Sequence, residues 1–96
     1  MKVRYTLEAL LHISAIHAFI DHRNPAAATR VVARLRQAAD DLDNFPEKGR
    51  PGAVGGTREC VVKGLPYIIV YEITPEADEL AILGVYHGAQ LRPGQE

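Results

Sequence analysis

The chain has 96 residues, 47% of them hydrophobic, which is enough for one compact core but too few for two. Its 24% of charged residues is ordinary for a globular protein and excludes a disordered chain. The formal net charge of −1 argues against autonomous nucleic-acid binding, because proteins that neutralise many phosphates carry a strong cationic excess.

Two features of the sequence bear on where the chain acts. Charged residues and histidines interrupt the first twenty residues, and no stretch is apolar enough to span a membrane. We therefore expect a cytoplasmic protein with no membrane partner. The single cysteine, Cys60, lies in an apolar run and cannot form an internal disulfide, so we expect a buried thiol without redox function.

Residues 1–46 have the pattern of a strand followed by two helices. Polar and apolar residues alternate over residues 2–6, which predicts a short strand. Thr6 can cap a first helix over residues 7–22, and apolar residues on one face of this helix are spaced by three and four: Ala9, Ile13, Ile16 and Ile20. Asn24 and Pro25 are typical of a helix start, and Pro46 is typical of a stop. The same spacing in this second helix predicts an antiparallel hairpin with the first: Ala28, Val31, Leu35, Ala38, Leu42 and Phe45.

The second half of the chain has the pattern of a loop and three strands. Residues 47–56 contain four glycines and predict a loop. Residues 58–63, 67–73 and 80–87 are rich in Val, Ile and Tyr, and the short turns between them predict antiparallel strands. Residues 89–96 are expected to be a frayed tail.

These elements define one domain over residues 1–96. Its fold class is α+β, with the order β-α-α-β-β-β and a two-helix hairpin packed on a mainly antiparallel sheet. The residues expected in the core between the hairpin and the sheet are Ile13, Ile16, Leu35, Leu42, Ile69 and Val85.

No pattern in the sequence indicates a metal or another cofactor. His12, His17 and His22 are spaced by five, about 140° per step on a helix, so they cannot share one metal. The glycines of residues 47–56 follow a helix and precede no Gly-Lys-Ser/Thr motif, unlike a phosphate-binding loop. We expect no metal, no cofactor and no small-molecule substrate.

Arg58 and His87 are candidates for a different chemistry near the predicted sheet. An arginine can stabilise the charge that develops on a phosphate, and a histidine can transfer a proton. Such a pair is sufficient in principle for RNA cleavage, in which the ribose 2′-OH attacks the adjacent phosphate. The alternative is that both side chains serve only solubility and packing.

Five sequence segments are specific in combination. They are NPAAA at residues 24–28, FPEKGRP at 45–51, GTRE at 56–59, PYIIVY at 66–71 and ILGVYHG at 82–88. In this order, the chain resembles the RelE/ParE toxin superfamily over essentially its whole length. The resemblance implies the toxin of a bacterial type II toxin-antitoxin system, also called a plasmid stabilisation system. Such a toxin arrests growth and is held inactive by a cognate antitoxin.

The resemblance is compatible with two different cellular targets of the toxin. RelE-like members cleave messenger RNA in the ribosome, whereas ParE-like members poison DNA gyrase. Arg58 and His87 match positions that some nuclease members use, but the ParE-like branch also carries a histidine there. The Gly-Lys-Pro-Glu stretch of nuclease members is Gly-Arg-Pro-Gly here, at residues 49–52, so their glutamate is missing. Lys63 is the only lysine after Lys48, and the net charge of −1 suits a ribosomal RNA binder poorly.

We therefore favour a ParE-like toxin that acts on gyrase without being an enzyme. One alternative is a RelE-like, metal-independent mRNA endonuclease, with the ribosome and mRNA as partners and with Arg58 and His87 as its catalytic residues. The other is a degenerate toxin that only binds its antitoxin.

The first helix offers a surface for the antitoxin that the resemblance implies. Leu10, Leu11 and Phe19 widen its apolar face beyond what the internal core needs, so they can bind the apolar face of an amphipathic antitoxin segment. Acidic residues of that segment can reach a rim of arginines. The predicted antitoxin-binding residues are Leu10, Leu11, Phe19, Arg23, Arg30 and Arg34.

Overall fold

The computed structural model describes residues 1–95. The strands are β1 (Lys2–Tyr5), β2 (Arg50–Pro51), β3 (Thr57–Val61), β4 (Tyr67–Thr74) and β5 (Glu79–His87). The helices are α1 (Leu7–Asp21) and α2 (Pro25–Asp41), and a single 3-10 turn (Pro75–Ala77) joins β4 to β5. The α+β class and the helix hairpin on a mainly antiparallel sheet are confirmed. Within residues 1–95, neither helix is long and apolar enough to cross a bilayer.

The five strands form one mixed sheet in the order β1-β5-β4-β3-β2. Short connections join β2 to β3, β3 to β4 and β4 to β5, and each of these pairs is antiparallel. Along the chain, the two helices lie between β1 and the other strands. In the sheet, β1 pairs in parallel with β5, with Lys2 opposite Glu79. Val70 pairs with Gly84 but Tyr71 pairs with Ile82, so Leu83 is the extra residue of a β-bulge.

Both helices begin at the residues that the sequence predicts. The Thr6 hydroxyl oxygen accepts the Ala9 N–H at 3.1 Å, and the Asn24 side-chain oxygen accepts the Ala27 N–H at 3.1 Å. Pro25 occupies the first turn of α2, where its missing N–H is tolerated. The Thr6 hydroxyl also donates to a backbone carbonyl of β5, which joins the start of α1 to the sheet.

The second helix ends earlier than predicted, and this corrects the position of Phe45. The amides of Leu42 and Asp43 bond to carbonyl oxygens three residues back, which tightens the last turn. Asp40, Asp41 and Asp43 lie near the negative end of the helix dipole and disfavour a further turn. Leu42 is fully buried, whereas Phe45, predicted to continue the apolar seam, is 67% exposed.

One continuous core lies between the helices and the sheet. Five of the six predicted core residues are buried: Ile13, Leu35, Leu42, Ile69 and Val85. The sixth, Ile16, is half-buried and packs against them. Cys60 is buried in the same core, as predicted, and burial raises the pKa of its thiol, so the thiol stays protonated at neutral pH.

Two segments predicted to be irregular carry more structure than expected. The loop of residues 47–56 contains β2, because the backbone of Arg50 pairs with Glu59 on β3. The tail of residues 89–96 is described as far as Gln95, and Glu96 lies outside the described residues. Within this tail Arg92 is buried against Glu59, so the expected fraying does not hold at Arg92.

The hairpin seam can be tested at Leu35, which is fully buried between the helices and the sheet. We expect Leu35→Ala to lower the free energy of unfolding by about 2–5 kcal/mol, because it removes apolar contacts and leaves a cavity. Leu11→Ala, on the exposed side of α1, should change it by less than about 0.5 kcal/mol. Urea unfolding followed by circular dichroism measures both, and an unshifted curve for Leu35→Ala would contradict the packing described here.

Candidate functional site

The first helix carries apolar side chains on its exposed side as well as on its buried side, which is typical of a helix covered on both faces. Its inner side packs on the core through Ala9, Ile13 and Ile16. Its other side, which we call the outer face of α1, is exposed and carries Leu7, Leu11, Ser14, Ala15 and Ala18, with Phe19 at its edge. Of the eight exposed large hydrophobic side chains within residues 1–95, four belong to α1. The largest group of exposed apolar side chains therefore lies on this helix.

The three apolar residues predicted to bind the antitoxin are all exposed. They do not share one line along the helix. Leu10 and Phe19 are nine positions apart, which places them about 180° apart around α1, whereas Leu11 and Phe19 are only about 80° apart. A single partner segment can therefore cover Leu11 and Phe19 along the outer face, with Leu10 at the opposite flank.

The three predicted rim arginines lie near the turn between the helices and along α2. The Arg23 guanidinium lies 5.7 Å from the centre of the Phe19 ring, so the cation borders the outer face of α1 directly. Arg30 is exposed one helical turn before Arg34. Arg34 is half-buried and donates to the Lys63 carbonyl oxygen at 3.3 Å. Arg23 and Arg30 are thus better placed than Arg34 to reach acidic groups of a partner.

Arg58 and His87 do not come together in the structure. Arg58 pairs with Tyr71 on β4, whereas His87 pairs with Tyr67, four residues away along the same strand. β3 and β5 lie on opposite sides of β4. This register puts the two Cα atoms about 16 Å apart, from about 13 Å along the strands and about 10 Å across them.

Both side chains also have local partners. The Arg58 guanidinium donates to the Gly49 carbonyl oxygen at 2.7 Å and to the Glu47 carbonyl oxygen at 3.3 Å. The His87 ring packs edge-on against Tyr67 at 5.8 Å, and its Nδ1 accepts a backbone N–H two residues on. These contacts fit the packing alternative for both residues.

The hydroxyl of Tyr71 fixes the same loop that Arg58 contacts. Tyr71 is fully buried on β4, and its hydroxyl donates to the Pro46 carbonyl oxygen at 2.6 Å and accepts the Gly49 N–H at 2.9 Å. Burial raises the pKa of Tyr71, so the hydroxyl keeps its proton at neutral pH. A Cβ atom on Gly49 would lie 2.8 Å from a carbon of the Tyr71 ring, so this close approach requires glycine.

A buried ion pair that the sequence analysis missed joins the tail to the sheet. Glu59 and Arg92 are only 5% and 7% exposed. One Glu59 carboxylate oxygen accepts from the Arg50 guanidinium at 3.2 Å and lies 3.2 Å from Arg92 Nε. The Arg92 contact is not aligned as a hydrogen bond, so it is an ion pair by distance alone. The one sequence signal was that Arg92 is the only cation in an otherwise uncharged stretch, residues 88–95.

The histidines of α1 do not form a cluster. His12 Nδ1 accepts the Val85 N–H at 3.1 Å, and the His12 ring packs edge-on against Tyr86 at 4.9 Å. His12 therefore ties α1 to β5. Across residues 1–95, no three His, Cys, Asp or Glu side chains lie close enough together to hold a metal ion.

A helix hairpin on a five-stranded mixed sheet is also the fold of a solved toxin-antitoxin system. The chain is similar to a structure of the chromosomal ParDE system from P. aeruginosa, with a TM-score of 0.81 and 21% sequence identity. The match covers 91% of this chain and 95% of that one. The two chains therefore share one fold.

Comparison with related sequences identifies the family to which the chain belongs. Residues 3–92 match the family model described as ParE toxin of type II toxin-antitoxin system, parDE. The chain is 44% identical over 92 residues to the candidate toxin Y4kP of Sinorhizobium fredii, covering 96% of this chain and 93% of that protein. It is 41% identical over 91 residues to toxin RelE2 of Caulobacter vibrioides, covering 94% and 98%. The chain belongs to the ParE toxin family of type II toxin-antitoxin systems, which confirms the resemblance found in the sequence.

The ion pair between Glu59 and Arg92 gives a stability prediction. Arg92→Ala should lower the free energy of unfolding by roughly 3 kcal/mol, because it leaves a buried carboxylate with only one cation. Arg50→Ala removes an exposed partner of the same carboxylate and should cost less than about 1 kcal/mol. Equal losses for the two variants in chemical denaturation would show that Arg92 does not anchor the tail.

Proposed function

We propose that this toxin inhibits DNA gyrase in the manner of ParE, and that a cognate antitoxin neutralises it in the cytoplasm. The observation that carries the proposal is that Arg58 and His87 lie about 16 Å apart at Cα by strand register and that each side chain is held by its own neighbours. Acid-base cleavage needs both groups within hydrogen-bond reach of one reacting phosphodiester. Arg58 is in addition bonded to loop carbonyl oxygens. The arrangement supports a toxin that works by binding rather than by cleaving RNA.

The position of the missing glutamate supports the same proposal. The resemblance places the acid of nuclease members at Gly52. A Cβ atom on Gly52 would lie 2.3 Å from the Thr57 hydroxyl oxygen, so a larger residue requires Thr57 to move. The net charge of −1 likewise favours a protein target over ribosomal RNA.

The antitoxin is proposed to bind the outer face of α1. This face is apolar, exposed and bordered by Arg23, which suits an amphipathic segment carrying acidic residues at its edge. The similarity to the ParDE toxin-antitoxin system of P. aeruginosa supports a partner of this kind. A segment that is disordered alone and folds on binding would be removed by proteolysis when free, and the toxin would then be released.

Charged substitutions on the outer face of α1 test the antitoxin site. We expect Leu11→Glu and Phe19→Glu to weaken antitoxin binding at least tenfold, since each places a charge in an apolar contact, with little change in Tm because both side chains are exposed. Leu91→Glu, equally exposed on the tail, is the matched control and should bind normally. Calorimetric titration gives the affinities. If both α1 variants retain full affinity, the antitoxin binds elsewhere, for example at a sheet edge.

Purified toxin tests the target directly. We expect inhibition of gyrase supercoiling that His87→Ala leaves largely intact, because His87 has no chemical step to perform in this proposal. A nuclease that used Arg58 and His87 would lose on the order of 10²-fold or more with either residue replaced by alanine. Ribosome-dependent mRNA cleavage that disappears in both variants would overturn the proposal. Antitoxin binding without any effect on gyrase or mRNA would indicate a degenerate toxin.

A further inference from the structure

The outer face of α1 is uncharged and lies in water when the toxin is free. Leu7, Leu11 and Phe19 are 72%, 59% and 69% exposed, and the other residues of the face are serine and alanine. The antitoxin proposed above covers this face only while it is bound. Before it binds, or after it is degraded, the same apolar surface is open to a second copy of the chain.

One edge of this face carries opposite charges at its two ends. Glu8 and Phe19 are eleven residues apart, which is three helical turns plus about 20°, so they lie on the same edge of α1 about 16 Å apart. The Arg23 guanidinium lies 5.7 Å from the centre of the Phe19 ring, which places this cation at the far end of that edge. The edge is therefore acidic where α1 begins and basic where α1 ends.

Both charges are available to a partner. The Glu8 side chain is 69% exposed, and its carboxylate lies 3.8 Å from His12 Nε2. Because His12 Nδ1 accepts the Val85 N–H, this ring is in a neutral form and does not neutralise Glu8. Arg23 is exposed, and across residues 1–95 no carboxylate lies within ion-pair distance of it. Asp21, the other carboxylate of α1, lies on the opposite edge, about 160° from Phe19.

An antiparallel pair of α1 helices matches this charge pattern with itself. A two-fold axis perpendicular to both helices brings the same edge of each helix together with its ends reversed. With the axis near the middle of α1, Leu11 of one copy lies level with Ala18 of the other. Glu8 is then level with the segment between Phe19 and Arg23, where its carboxylate and the guanidinium can pair. The symmetry makes this contact twice, whereas a parallel pair would bring like charges together.

The surface available to such a pair is small. A helix of 15 residues is about 22 Å long and about 10 Å wide, so each copy buries less than the about 800 Å² that is typical of a stable complex. We therefore expect a dissociation constant of the order of micromolar. An antitoxin segment that covers the same face and buries more surface displaces the second copy. The dimer and the antitoxin complex are thus alternative states of one face.

We propose that the toxin without its antitoxin pairs with a second copy of itself through the outer face of α1. The two helices are antiparallel, and Glu8 of each copy lies beside Arg23 of the other. The dimer removes the apolar face from water until an antitoxin binds. The pairing itself requires nothing of the toxin's target, and only the competition with the antitoxin rests on the proposed function.

Sedimentation of purified toxin without antitoxin tests the dimer. The native chain should pass from monomer to dimer between about 1 and about 100 µM. Glu8→Arg and Arg23→Glu each place like charges together at both ends of the pair, so each should raise the dissociation constant at least tenfold. The double variant, E8R with R23E, restores opposite charges and should return the constant to within about threefold of the native value.

Two exposed residues outside α1 supply matched controls. Glu76→Arg and Lys63→Glu make the same changes of net charge in the turns after and before β4, and they should leave the dissociation constant unchanged. The double variant must regain what each single variant loses, so loss of folding cannot imitate the expected result. Thermal unfolding of each variant gives the same check directly.

The outcomes separate the dimer from the proposed antitoxin site. A native chain that stays monomeric to about 100 µM overturns the dimer and leaves the antitoxin site as proposed. Dimerisation that neither charge reversal weakens, or that the double variant does not restore, also overturns the pairing through α1. If Leu11→Glu abolishes the dimer but keeps full antitoxin affinity, the dimer stands and the antitoxin site is rejected.

Discussion

The hydroxyl of Tyr71 fixes the backbone that follows α2, and much of the outer surface depends on this contact. It satisfies the Pro46 carbonyl and the Gly49 amide at once, from the buried centre of the sheet. Burying either of these groups without a hydrogen-bond partner would cost about 1–3 kcal/mol of folding free energy, so the loop has one strongly preferred position. Arg58 adds two bonds to the same loop. The short edge strand β2 begins at Arg50, directly after the Gly49 amide that Tyr71 holds.

The charges of the molecule are largely paired, in keeping with a formal net charge of −1. Where β5 begins, the carboxylates of Asp43 and Asp78 lie 2.8 and 3.8 Å from the Met1 amino group, and Arg4 forms an ion pair with Glu79. At the turn between the helices, the Arg23 guanidinium lies beside the exposed Phe19 ring. Surface charges act within about 8–10 Å at physiological salt, so Arg23 acts only on groups that come close to this end of α1.

The sequence predicted the helix caps and the periodic apolar core, and it missed contacts between particular polar groups that are distant along the chain. The caps at Thr6 and Asn24 were predicted because each bonds an amide three residues on. The pairing of Glu59 with Arg92 was not, since nothing local requires it. The separation of Arg58 from His87 was available in principle. Two strands that are both antiparallel to β4 run parallel to each other, so residues at the start of β3 and the end of β5 must lie at opposite ends of the sheet.

The parallel pairing of β1 with β5 has a genetic consequence. β5 lies between β1 and β4, with Lys2 opposite Glu79, and it follows the other four strands in chain order. A reading frame interrupted before codon 79 leaves β1 without a partner and α1 without the strand that Thr6 and His12 bind. Every such nonsense allele encodes a chain that cannot complete its core. A stop codon at any position before residue 79 therefore prevents the whole fold from forming, and does not merely remove one of its surfaces.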